Sequence, residues 1–153
     1  MKYKFTTHSQ LETRKLGETI APFFRPGDVV LLKGDLGAGK TTLVGGVAKA
    51  LNVKEDVISP TFNIMKCYFK GNIPLYHIDA YRLENQNIEL GLDEFIEGNG
   101  VCFIEWPQFV EKLLPDQCLE IVINNIGGND RQIDICSSST HFDKIVAAVK
   151  EVF

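Results

Sequence analysis

Residues 29–43 read VVLLKGDLGAGKTTL, and this stretch decides the fold. Val29 to Leu32 form a continuous apolar, partly β-branched run, the pattern of a strand buried on both faces. Three glycines follow, then Lys40, Thr41 and Thr42, which open a run over residues 40–51 (KTTLVGGVAKAL) that reads as a helix ending near Asn52. Gly34, Gly39, Lys40 and Thr41 satisfy G-x-x-x-x-G-K-[ST] in full, between strand and helix. The glycines let the loop curl so that the N–H groups of Leu36, Gly37, Ala38 and Gly39 point inward at phosphate oxygens. The helix N-terminus adds partial positive charge at the same spot. Lys40 reaches the β- and γ-phosphates, the Thr41 hydroxyl can ligate Mg²⁺, and Thr42 is placed for the α-phosphate. The motif therefore predicts nucleotide phosphate binding.

Working outward, residues 2–6 (KYKFT) read as a short edge strand. Ser9-Gln10-Leu11-Glu12 has the form of a capping box, so a helix is expected from about residue 10 to 20, stopping before Pro22. Gly45 and Gly46, inside the helix after the glycine loop, cost about 1 kcal/mol each relative to Ala, which implies close packing against another element. Residues 57–69 (VISPTFNIMKCYF) and 73–79 (IPLYHID) are strand-like and joined through the turn signal KGN. Residues 85–97 read as mainly helical, broken by Gly91, and 100–106 (GVCFIEW) as a second buried strand. Residues 108–114 form a short helix ended by Pro115, and CLEIVIN and RQIDIC pair as an antiparallel hairpin across NIGGND. Thr140 and Asp143 open a last helix with Phe142, Ile145, Val146, Val149 and Val152 on one face. Strands alternating with helices predict a three-layer α/β domain over 1–153, with a mainly parallel sheet, antiparallel edge strands and helices on both faces.

A phosphate loop needs an acid for its Mg²⁺ shell, and two buried strands end in one: LYHID in Asp79 and VCFIE in Glu105. A carboxylate there is costly unless it meets a cation or hydrogen-bond donors. The residues alone leave open which acid holds the metal and which positions water. His77 reads as a packed core histidine rather than a ligand. Trp106 sits at a strand end, as core or as an aromatic lining the site. Thr61, in Ser59-Pro60-Thr61, lies where switch loops sense a γ-phosphate.

Composition narrows the function. The chain has 153 residues and a formal charge of −4, without a basic tract, which argues against direct grip on a nucleic-acid backbone. No apolar run approaches the roughly 20 residues of a membrane span, and the N-terminus lacks a signal-peptide core, so a cytoplasmic protein without membrane association is expected. The four cysteines are widely spaced and read as buried reduced thiols. No N-K-x-D sequence is present, which favours ATP over GTP. Four scattered arginines give no lid to clamp a phosphoryl acceptor, so a hydrolase or nucleotide switch fits better than a small-molecule kinase. Without an evident arginine finger, turnover alone should be slow. A kinase would show transfer stimulated by its acceptor; a passive switch would not hydrolyse ATP even beside its partner.

The segments GDLGAGKTT, SPTF, YHIDAYRL, ELGLDEF and FIEWP occur in this order. Together they closely resemble the TsaE (formerly YjeE) family of small bacterial P-loop ATPases, over nearly the whole chain. The resemblance implies ATP and Mg²⁺ as cofactors, weak intrinsic ATPase activity, and a role in threonylcarbamoyladenosine formation on tRNAs that read codons beginning with A. It implies TsaD and TsaB as protein partners, with tRNA met only through their complex. The activated intermediate would come from TsaC or a relative, while ATP hydrolysis here drives or resets the complex. Carried over by position, Lys40 holds phosphates, Thr41 and Glu105 hold Mg²⁺, Asp79 orients the attacking water, and Thr61 lies in a switch-like loop. Trp106 stands at the site, and Gln10 and Arg131 stand as contacts to base or sugar.

Overall fold

The structure is a computed structural model that describes residues 1–60, 64–83 and 91–153. The strand before the glycine loop becomes the centre of its sheet. This strand, β2 (Val29–Lys33), lies parallel between β5 (Val101–Glu105) and β6 (Leu119–Gly127). β4 (Leu75–Asp79) adds in parallel to β5. At one edge β3 (Met65–Tyr68) pairs antiparallel to β4; at the other β7 (Asp130–Ser137) and β1 (Lys2–Thr7) continue antiparallel from β6. The seven strands run in the order β1-β7-β6-β2-β5-β4-β3. The sheet is thus mixed: its central pairings are parallel and its edges antiparallel.

Burial follows that division. Every residue of β4 and β5 is buried, because parallel strands are covered on both faces. The antiparallel wing alternates, with Leu119, Ile121, Ile123, Ile133 and Ile135 pointing to one core. That core is closed by three helices: α1 (Gln10–Ile20), α2 (Lys40–Ala50) and α4 (Thr140–Val152). The opposite face is covered more thinly, by α3 (Leu92–Ile96) and short 3₁₀ turns that contribute Leu83 and Val110.

The expected start of α1 is present, with Ser9 Oγ accepting from the Glu12 N–H at 3.1 Å. α1 and α2 cross so closely that backbone meets backbone. A Cβ on Gly46 would lie 2.0 Å from the Arg14 carbonyl oxygen, and one on Gly17 would lie 2.2 Å from that of Leu43. The expectation of close packing thus holds for Gly46. It fails for Gly45, whose Cβ would meet nothing within 4 Å, because that position faces a cleft.

Other boundaries differ for local reasons. Of the strand expected over 57–69, the described residues form strand at Met65–Tyr68; residues 57–60 have no regular structure, Pro60 has no N–H for a ladder, and residues 61–63 lie outside the described ones. Gly91 is the N-cap of α3, and the helical stretch expected before it falls outside the described residues. Residues Pro107–Leu113 are 3₁₀ turns kinked at Val110, since Pro115 forces Leu114 to an extended conformation. α4 opens at Thr140 as expected, and Ser139 caps it by accepting from the Phe142 N–H at 3.2 Å. Val152 is 46% exposed; at that end it is Phe153 that turns inward, stacking on Phe5 at 5.0 Å between ring centroids. Of the four free cysteines only Cys102 is buried; burial, with Cys67 beside it, pushes its thiol up to about 12, so it stays protonated.

The two adjacent glycines of α2 should therefore respond oppositely to Ala. In urea unfolding, Gly46→Ala should lose about 1–3 kcal/mol or more by forcing the helices apart. Gly45→Ala should gain roughly 0.5–1 kcal/mol from helix propensity. Equal responses would mean that the helix crossing does not depend on Gly46.

Candidate functional site

Strands β2, β4 and β5 end together at one edge of the sheet, with Leu32 and Asp79 each in register with Glu105. Successive residues of a strand alternate faces, so Leu75, His77 and Asp79 share one face of β4. Val101, Phe103 and Glu105 share the same face of β5, the one that α2 covers. Topology thus brings two carboxylates and a histidine under the N-terminus of α2, where Lys40 begins the helix.

Lys40 is buried, with 8% of its surface exposed, so its ammonium needs partners. Nζ donates to the Gly34 carbonyl at 2.6 Å and lies 3.0 Å from Glu105 Oε1. It also sits 5.9 Å above the Trp106 ring, a cation–π distance. The other carboxylate oxygen, Glu105 Oε2, is 2.6 Å from His77 Nε2. Burial alone would raise the Glu105 carboxyl. The hydrogen bond and attraction of His77, joined by those of Lys40, outweigh it and hold the group below its ordinary value of 4.5. Asp79 is also buried, and its Oδ1 accepts from the Tyr81 N–H at 3.0 Å, closing a turn just after β4. Trp106 adopts φ +57°, an unusual conformation for a bulky residue, which directs its ring back over Lys40 and against Tyr81 and Phe109.

The loop itself is fixed by its backbone and by one distant arginine. Gly39 has φ +108° at the N-cap of α2, a conformation that strains any residue with a Cβ. Arg131, on β7, donates from Nε to the Ala38 carbonyl at 2.8 Å and from Nη1 to the Gly128 and Asp130 carbonyls at 2.8 and 2.9 Å. Its guanidinium thus ties the loop to the β6–β7 turn. Arg131 was expected to meet base or sugar; in this structure its donors engage backbone carbonyls and, from Nη1, the Asn125 Oδ1 at 3.1 Å.

A cleft of about 540 Å³ lies in front of these groups. Leu36, Gly37, Gly39, Lys40, Thr41 and Thr42 line one side of it, and Asp79, Glu105 and Trp106 the other. Ala38 is buried beneath the loop. Gln10 and Arg131 share a narrow crevice that continues from Gly37, Gly39 and Thr42. Gln10 also opens, with Arg14 and Gly45, onto a second cleft of about 550 Å³ that begins at Thr41 and Thr42. Thr61 lies outside the described residues; Ser59, from the same segment, reaches the first cleft. The contact of His77 with Glu105 was missed by reading it as core alone. Its signal was a histidine two residues before Asp79 on the same strand face.

Comparison with known proteins gives a consistent answer. Residues 7–133 match the family described as Threonylcarbamoyl adenosine biosynthesis protein TsaE. The tRNA threonylcarbamoyladenosine biosynthesis protein TsaE of Bacillus subtilis is 43% identical over 142 residues, covering 93% of this chain and 90% of that protein. Its counterpart from Rickettsia conorii is 37% identical over 139 residues, covering 89% and 77% respectively. The crystal structure of YdiB from Bacillus subtilis superposes with a TM-score of 0.84 at 37% identity, covering 99% of this chain and 95% of that one.

The buried pair sets an acid limit. Glu105 has a folded-state value below 4.5, so its contribution is complete above that value and is lost as pH falls through the depressed one. The stability advantage of the wild type over Glu105→Gln should be flat near neutrality and shrink below about pH 4.5. Chemical denaturation across that range measures it. A constant difference would show that the carboxylate gains nothing from its partners on folding.

Proposed function

From the premise that this chain belongs to the TsaE family, whose members act in threonylcarbamoyl adenosine biosynthesis, we propose that it is a slow, Mg²⁺-dependent ATPase. It works in the cytoplasm on a complex of the TsaD and TsaB proteins, and meets tRNA only through them. The observation that carries this reading is the meeting of Lys40, Asp79 and Glu105 in one cleft under the glycine loop.

The donor set suits the proposed cofactors. Thr41, Asp79 and Glu105 offer oxygen ligands, which match a hard cation such as Mg²⁺. Among the described residues no group of three His, Cys, Asp or Glu could cage a metal alone. That fits an ion held by one or two protein oxygens together with phosphates. Thr41 and Glu105 would hold it, where it would supply positive charge to the β- and γ-phosphate oxygens.

The chain's own groups then have separate tasks. The N–H groups of the loop and the start of α2 face the phosphates. Lys40 exchanges its carboxylate partner for phosphate oxygens. Asp79, anchored through Oδ1 by Tyr81, orients a water with its remaining oxygen. Trp106 walls the site beside Lys40 and limits water there. Among the described residues that line this cleft there is no arginine, and Lys40 is the cationic side chain among them that faces charge building on the γ-phosphate. Slow turnover alone and stimulation by a partner follow. The net charge of −4 suits protein partners better than direct tRNA binding.

The test is ATP hydrolysis by the protein alone and with a purified TsaD–TsaB complex. A partner-dependent rise is expected, and Lys40→Ala, Asp79→Ala and Glu105→Ala should each lower the stimulated rate at least about 100-fold. Absence of stimulation, or rates untouched at Asp79 and Glu105, would sink the gated-ATPase mechanism. Transfer of phosphate to a small acceptor would replace it with a kinase.

A further inference from the structure

His77 is fully buried and ionisable, and the scheme above gives it no task. It stands in register with Phe103, so Glu105 is its diagonal neighbour on β5, on the same face. Its Nε2 reaches Glu105 Oε2 at 2.6 Å. A carboxylate only accepts, so Nε2 is the donor. Its Nδ1 is buried without a hydrogen-bond partner among the described residues. That orphaned atom disfavours folding, and an apolar residue would fill the space without it. Packing alone therefore does not account for a histidine at this position.

The division of the carboxylate's oxygens supplies a reason. Oε1 faces Lys40 and Oε2 faces His77. When phosphates claim Lys40, the contact at Oε1 is given up and the His77 bond remains. Without His77, the carboxylate could turn and offer both oxygens to Lys40, competing with the phosphates. It would also be free to rotate away from the Thr41 side of the cleft.

We propose that His77 is a positioning residue, which holds Glu105 by one oxygen so that the other is presented to the cation of a bound nucleotide. This rests on the Mg²⁺–nucleotide reading of the site. His77 touches neither phosphate nor metal and acts only through Glu105. The partner of a metal-ligating group commonly changes metal affinity by 10–100-fold when removed.

The experiment is equilibrium binding of a fluorescent ATP analogue to the full chain at stepped Mg²⁺ concentrations, with thermal unfolding to check each variant. His77→Met removes the donor and fills the space; His77→Gln keeps a donor at similar reach. The Mg²⁺ midpoint should rise about 10–100-fold in His77→Met, while affinity without Mg²⁺ stays within about threefold, and His77→Gln should restore the midpoint. If His77→Met does not fold, His77→Asn takes its place. Its shorter amide lies nearer the backbone and does not reach Oε2, so its midpoint should exceed that of His77→Gln. Equal midpoints in wild type and the donor-less variant overturn the proposal. So does an equal loss of Mg²⁺-free binding in both substitutions, which marks a purely structural histidine. A wild-type protein that binds no nucleotide overturns the functional reading, and this inference with it.

Discussion

A lysine ammonium buried at the start of a helix is the constraint from which the rest of this structure follows. An ammonium at 8% exposure is costly to bury unless partners are held in place for it. The Gly34 carbonyl is one, and it is available because the loop curls back before α2 begins. Glu105 is the other, and it is available only because β5 lies directly beside β2 and ends at the same level. The central parallel strands are therefore more than a core. Their shared edge sets where carboxylates can stand, and the antiparallel wing reaches the glycine loop through Arg131.

The loop is pinned from three directions, each by a different kind of force. α1 presses on α2 through Gly17 and Gly46, where side chains are excluded and backbones touch. Arg131 reaches across from β7 to the Ala38 carbonyl, using a rigid fork that a lysine could not reproduce. Trp106 closes the third side at the expense of a left-handed backbone, a strain of about 1–3 kcal/mol that its ring contacts with Tyr81 and Phe109 help to offset. A loop held in this way presents its N–H groups already oriented, so less ordering is needed when an anion arrives.

What the sequence revealed depended on how local the cause was. The glycine loop, the cap at Ser9, and the acids that end β4 and β5 were legible because each is written in a few adjacent residues. The meaning of His77 was hidden because it depends on the register between β4 and β5, where Phe103 sets the diagonal to Glu105. Arg131 was noticed, but its tie to the glycine loop was not, since its acceptors at Ala38 and Gly128 are assembled by the fold. Gly45 and Gly46 look alike in sequence, and only the position of Arg14 on the neighbouring helix tells them apart. The segment after β5 reads as a short helix but forms 3₁₀ turns with a kink at Val110, a detail that no local residue pattern announces.

The same buried charge would link anion and metal under the proposed function. Lys40 and Glu105 neutralise one another in this structure. A polyphosphate that took Lys40 alone would leave Glu105 facing a second anion in a poorly solvated cleft, which is costly. A divalent cation that approached Glu105 alone would meet the ammonium of Lys40 only 3.0 Å from Oε1. Each arrival alone breaks an ion pair and creates a like-charge contact. Together they exchange one pairing for two, ammonium with phosphate and carboxylate with metal. On the proposed reading, the balance of charge at the strand ends would make phosphate and metal binding mutually dependent.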